Sequence, residues 1–67
     1  MDFIDVSNDE LASLIDQWIK NKRNRKILKR RLIDGICYEP LAEEFDLSVN
    51  HVKAIVYDGK NIISQHL

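Results

Sequence analysis

Glycine, proline and cysteine are nearly missing from this chain: 67 residues hold two glycines, one proline and one cysteine. A single cysteine rules out an internal disulfide, which fits a reducing compartment and an expected cytoplasmic location. With so few helix breakers and no low-complexity tract there is no candidate linker, so the expectation is one domain over residues 1–67. No apolar run approaches the ~20 residues of a membrane span, and the first residues lack the basic stretch and apolar core of a secretion signal. No membrane partner is expected.

What is present suits a folded domain: 45% hydrophobic and 31% charged residues. A chain this short buries only about 60% of the surface it exposes when unfolded, and its stability should lie at roughly 3–10 kcal/mol. The net charge is only −1, but eight of the ten Lys and Arg residues fall between positions 20 and 31. The first sixteen residues hold five acids and no base. A local basic patch, rather than net charge, is what a phosphate backbone meets.

Hydrophobic periodicity predicts an all-α, four-helix domain: an N-terminal amphipathic helix followed by a three-helix helix-turn-helix core. After an extended arm over residues 1–6, Ser7 caps the first helix, Glu10 can reach back to the Ser7 N–H, and Val6 can staple onto Leu11. Leu11, Leu14, Ile15, Trp18 and Ile19 then recur at helical spacing, placing this helix at 8–20. Continuing the stripe would bury Lys22, Arg25 and Lys29, which desolvation forbids. The chain must therefore break near 21–24, with Asn21 or Asn24 capping a second helix that ends at Asp34, and Gly35 supplying the left-handed residue that stops it.

Residues 38–57, YEPLAEEFDLSVNHVKAIVY, read as two helices around a tight turn. Pro40 sits near the start of the first, where its missing N–H costs nothing. Leu41, Ala42 and Phe45 face inward. Asp46-Leu47-Ser48 interrupts the period, and Ser48 caps a helix that buries Val52, Ile55 and Val56. That helix continues past Tyr57 toward Ile62 and Ile63. At Gly59 either it frays or another helix packs against the missing side chain. The whole is the helix-turn-helix pattern.

Residues 23–63 resemble the C-terminal, promoter-reading region of bacterial sigma factors, and short phage or mobile-element regulators built on that unit. The resemblance rests on the charged ILKRRL helix, the Asp34-Gly35 stop, the Tyr38-Glu39 entry, Leu41-Ala42, and Leu47-Ser48 before Val52-Lys53. It implies that Ala42 sits where the two motif helices touch most closely, and that Ser48, Val49, Asn50, Lys53, Ala54 and Tyr57 lie at the DNA surface. Three positions depart from the pattern: Asp46 replaces the usual turn glycine, Cys37 a serine cap, and Pro40 a glutamate. The first twenty residues have no part in it, and the chain is not expected to be a complete sigma factor.

The expected function is sequence-specific binding of double-stranded DNA by a small transcriptional regulator. Asn50 is the leading base reader because its amide can bond adenine in a bidentate way. Lys22, Arg23, Arg25, Lys26 and His51 are the candidate phosphate contacts, while Lys29, Arg30 and Arg31 can instead pair with nearby acids. One feature opposes this reading: from position 36 onward five acids face two lysines. Useful affinity would then need two units presented together, so a homodimer is expected, with the first helix as its likeliest contributor. That stripe either completes the monomer core or forms the interface. The alternative function is a protein-interaction module that binds RNA polymerase or another regulator without reading DNA. Catalysis is not expected, since Cys37 has no histidine near it in sequence and Glu43 and Glu44 point to different helix faces. His51 and His66, fifteen residues apart with no cysteine pair, do not make a zinc site. Neither a cofactor nor a small-molecule substrate is expected.

Overall fold

The computed structural model describes residues 6–66. Among them are four helices and no strand: α1 (Asn8–Trp18), α2 (Lys22–Leu32), α3 (Tyr38–Phe45) and α4 (Val49–Ser64). The chain is therefore all-α with four helices, as its periodicity predicts. Residues 1–5 of the expected arm, and Leu67, lie outside the described residues. No described helix is long and apolar enough to cross a membrane.

Side-chain caps set where the helices start. Ser7 Oγ accepts the Glu10 N–H at 3.1 Å, and Val6 packs against the core. The return bond expected from the Glu10 carboxylate is not formed among the described residues. α1 stops at Trp18, short of the expected 20, because Ile19 turns extended while its side chain stays buried. Of the two candidate caps for α2, Asn21 is the one used: its Oδ1 accepts the Asn24 N–H at 3.2 Å. The Arg25 Nε in turn donates to the Ile19 carbonyl and closes the end of α1. α2 ends at Leu32 rather than Asp34. Gly35, at φ +72°, then lets the Ile36 N–H turn back to the Arg30 carbonyl at 3.1 Å.

The turn between α3 and α4 is a Schellman motif. Asp46 is left-handed (φ 55°, ψ 46°), the Leu47 N–H donates to the Ala42 carbonyl at 2.9 Å, and the Asp46 N–H donates to the Glu43 carbonyl at 3.3 Å. Aspartate tolerates this backbone better than most residues, though less well than glycine. Asp46→Gly is therefore expected to stabilise the protein by about 0.5–1 kcal/mol, seen as a higher urea midpoint at unchanged slope. A lower midpoint would mean that the aspartate side chain contributes more than its backbone costs. At the other end of α3, Cys37 occupies the cap position without a side-chain hydrogen bond, and Pro40 is the third helical residue.

α4 begins at a working cap, with Ser48 Oγ accepting the His51 N–H at 3.1 Å. It runs sixteen residues without a break, straight through Gly59. The second of the two alternatives at Gly59 is the real one: a Cβ there would fall 2.5 Å from a Leu28 methyl. The absent side chain lets α2 and α4 cross closely.

One core holds the four helices together. Leu11, Ile15 and Ile19 meet Ile27 and Leu28, Leu41 and Ala42, and Val52, Val56 and Ile63, all buried. The α1 stripe thus mostly completes the monomer, leaving Trp18 as its exposed member. Surface ion pairs add small increments. Lys29 meets Asp16 at 2.7 Å, tying α2 to α1. Arg30 meets Glu44 at 2.8 Å, tying α2 to α3, and Asp34 at 3.5 Å. The hydrogen bond and charge of Glu44 raise the Arg30 pKa above its ordinary value.

Candidate nucleic-acid interface

The outer face of α4 is the opposite of its buried one. Val52, Ile55, Val56, Gly59 and Ile63 are covered, so the residues half a turn away must face solvent. Asn50, Lys53, Ala54 and Tyr57, at helical spacing, form that exposed stripe, and Tyr57 is 72% exposed. Ser48 and Val49 differ from the other four: the Ser48 hydroxyl is occupied as the helix cap, and Val49 is half-buried against the core. His51 is exposed beside the stripe, its backbone N–H already held by Ser48.

The stripe extends further than the resemblance implied. Tyr57, Lys60, Asn61 and Ser64 line a shallow depression of about 180 Å³ along the second half of α4. Carrying the period of Lys53 and Tyr57 one turn onward would have located Lys60.

At the other end lies a feature that sequence spacing does not reveal. Two cations lie over the Tyr38 ring: the Arg31 guanidinium carbon is 4.3 Å from the ring centroid and the Lys53 ammonium 5.6 Å. Arg31 is held in place by donating to the Ile36 carbonyl at 3.1 Å. Tyr38, Val49 and Lys53 line an open cavity of about 500 Å³, with Glu39 as its carboxylate. A cation over an aromatic face is attracted by the ring's negative quadrupole, so Tyr38 helps hold both cations at this end of the stripe. This cluster joins residues from α2, α3 and α4, and only the folded chain assembles it.

Four of the five candidate phosphate contacts, Lys22, Arg23, Arg25 and Lys26, lie elsewhere on α2, whereas His51 is on α4. α2 turns Ile27 and Leu28 inward, so Lys22 and Lys26 project from its far side. Lys22, Arg25, Lys26 and Lys29 surround a cavity of about 210 Å³ together with Asp16 of α1. Arg25 is engaged by the Ile19 carbonyl, and Arg23 donates to Asn24 Oδ1 at 3.2 and 3.3 Å. None of them lines the depressions beside the α4 stripe. The structure brings Asn50, Lys53, Ala54 and Tyr57 together, adds Arg31, Tyr38 and Lys60, and groups Lys22, Arg25, Lys26 and Lys29 apart from them beside Asp16.

No family model matches the sequence, and a search of curated proteins and of solved structures returns no match.

Proposed function

We propose that this chain is a small transcriptional regulator of the sigma-like, phage or mobile-element kind, which binds double-stranded DNA with α4 in the major groove. The observation that carries the reading is the exposed α4 stripe, presented by a Schellman turn and a serine cap and free of core duties. Asn50 and Tyr57 meet base edges, and Lys53, Arg31 and Lys60 meet phosphates on either side. Lys22 and Lys26, on the far side of α2, contribute long-range attraction rather than contacts. With so few direct cations, one unit binds weakly, so the working form is a homodimer in the cytoplasm.

Selection of bound sequences from random duplex DNA, followed by anisotropy titration of the winner, tests the proposal. Three phosphate contacts predict a log–log salt slope of roughly −3 for each unit. No enrichment, together with no binding at tens of micromolar in low salt, would sink it.

A second reading draws on a specific observation: α3 exposes Glu39 and Glu43 beside the stripe, which suits a basic protein partner better than a phosphate. In that case the chain is an interaction module for RNA polymerase or another regulator. Asn50→Ala would then leave partner capture unchanged.

A further inference from the structure

We infer that the groove between the α1–α2 connection and the C-terminal half of α4 is the docking surface for a second copy of this chain, related by a two-fold axis. This deepens the dimeric part of the proposed function by naming the surface and the residues that pair across it.

Three large hydrophobic residues are exposed among the described residues: Trp18 (43%), Tyr57 (72%) and Ile62 (38%). Tyr57 belongs to the α4 stripe. Trp18 and Ile62 line one groove of about 400 Å³, whose apolar lining continues through Leu28, Ile55 and Gly59. The indole is already fixed: the His66 ring stacks on it with centroids 3.6 Å apart and planes 3° from parallel. A pre-ordered tryptophan loses little freedom on association, and tryptophan is the residue type most enriched among binding hot spots.

Charge identifies the occupant. The groove carries one cation, Lys20 from the α1–α2 connection, and one anion, Asp58 from α4, on different walls. Neither is in an ion pair among the described residues. A two-fold axis through the groove sets Lys20 opposite Asp58 of the partner subunit, and Asp58 opposite Lys20 of the partner subunit. A patch holding both signs on opposite walls is self-complementary, which an isologous interface requires. The other charged faces would repel their own copies: the outer side of α2 carries Lys22 and Lys26, and α3 presents Glu39 and Glu43. A groove whose one cation is matched by one anion likewise has no net positive charge to draw nucleic acid. Asp58 and Ile62 lie roughly a third of a turn round α4 from the Asn50–Lys53–Tyr57 stripe, so docking here leaves that stripe open.

Stable interfaces cover about 800 Å² per partner, roughly a sixth of the 4620 Å² surface. Both walls as well as the floor must be covered, and dissociation in the micromolar range is expected.

Sedimentation equilibrium of the whole chain, without DNA, is the test. The expected result is a concentration-dependent rise from 7.9 kDa toward twice that mass. Ile62→Glu should leave a monomer whose circular dichroism melt matches the parent, because Ile62 is partly exposed before docking. Lys20→Glu and Asp58→Lys should each weaken association about tenfold, and the two together should restore it. A monomer at every concentration overturns the inference, as does a dimer unmoved by Ile62→Glu. A double reversal that fails to restore association overturns the two-fold pairing. Because no DNA is present, failure here is distinct from failure of DNA reading.

Discussion

Gly59→Val is expected to lower the melting temperature by on the order of 15 °C. The reason is a crowded contact rather than helix propensity. A Cβ at Gly59 would lie 2.5 and 2.6 Å from the two Leu28 methyls and 3.0 Å from Leu28 Cγ, and Leu28 is fully buried. Alanine at 59 introduces this conflict but recovers about 1 kcal/mol of helix preference, and the Leu28 tip can swing toward the groove it lines, so Gly59→Ala should be close to neutral. Valine adds two further methyl groups with no space to take. Overpacking of this kind costs about 3 kcal/mol at the upper end of its usual range, a third or more of the stability expected for so small a domain. The companion variant is Leu28→Ala, which alone should lose about 2–5 kcal/mol through the cavity it leaves. In the double variant valine fills that cavity, so the combined loss should fall short of the sum by more than about 1 kcal/mol. Strict additivity in urea titrations would show that the two helices part at this crossing rather than press together.

Lys53→Glu should weaken binding to the selected duplex about thirtyfold, near 2 kcal/mol, and flatten the salt slope by about one unit. Lys26→Glu should change affinity by no more than about twofold. Both reverse one exposed lysine, so the contrast isolates position. Lys53 stands on the α4 stripe beside Tyr38, whereas Lys26 projects from the far side of α2 with Asp16 nearby. Matched thermal melts would show that neither change acts through folding. Equal losses from the two variants would mean that the duplex reaches across to α2, and would return Lys22, Arg25 and Lys26 to the contact surface.

Features set by a few neighbouring residues are legible in the sequence, and features set by long-range packing are not. Ser7 and Ser48 were legible as caps, and Asn21 as one of two, because a cap depends on residue type and a three-residue reach, both local. Asp46 as the left-handed turn residue came only from the resemblance, as the position where the pattern usually has glycine. Of Lys29, Arg30 and Arg31, expected to pair with nearby acids, the first two do so, while Arg31 instead meets the Ile36 carbonyl and the Tyr38 ring. Whether α4 passes Gly59 was not legible, because the answer is the side chain of Leu28, thirty-one positions away. The grouping of the basic block with the α4 stripe met a similar limit: adjacency in sequence says nothing about which side of α2 the lysines leave from, and burial of Ile27 and Leu28 decides it. The Arg31–Tyr38–Lys53 cluster needs three helices in place before it exists.

The uninterrupted passage of α4 through Gly59 has a mechanical consequence. Sixteen helical residues make a rod about 24 Å long, with Asn50 and Lys53 near one end, Tyr57 midway, and Ile62 and the Trp18–His66 stack toward the other. Nothing along it acts as a hinge. In a two-fold assembly the separation and relative twist of the two reading ends would then be a fixed dimension of the protein, not an adjustable one. The bound DNA would have to match it: inserting a single base pair between half-sites shifts them by about 3.4 Å along the axis and turns one against the other by about a tenth of a turn. Operators should therefore tolerate base changes at the spacer far better than changes in its length.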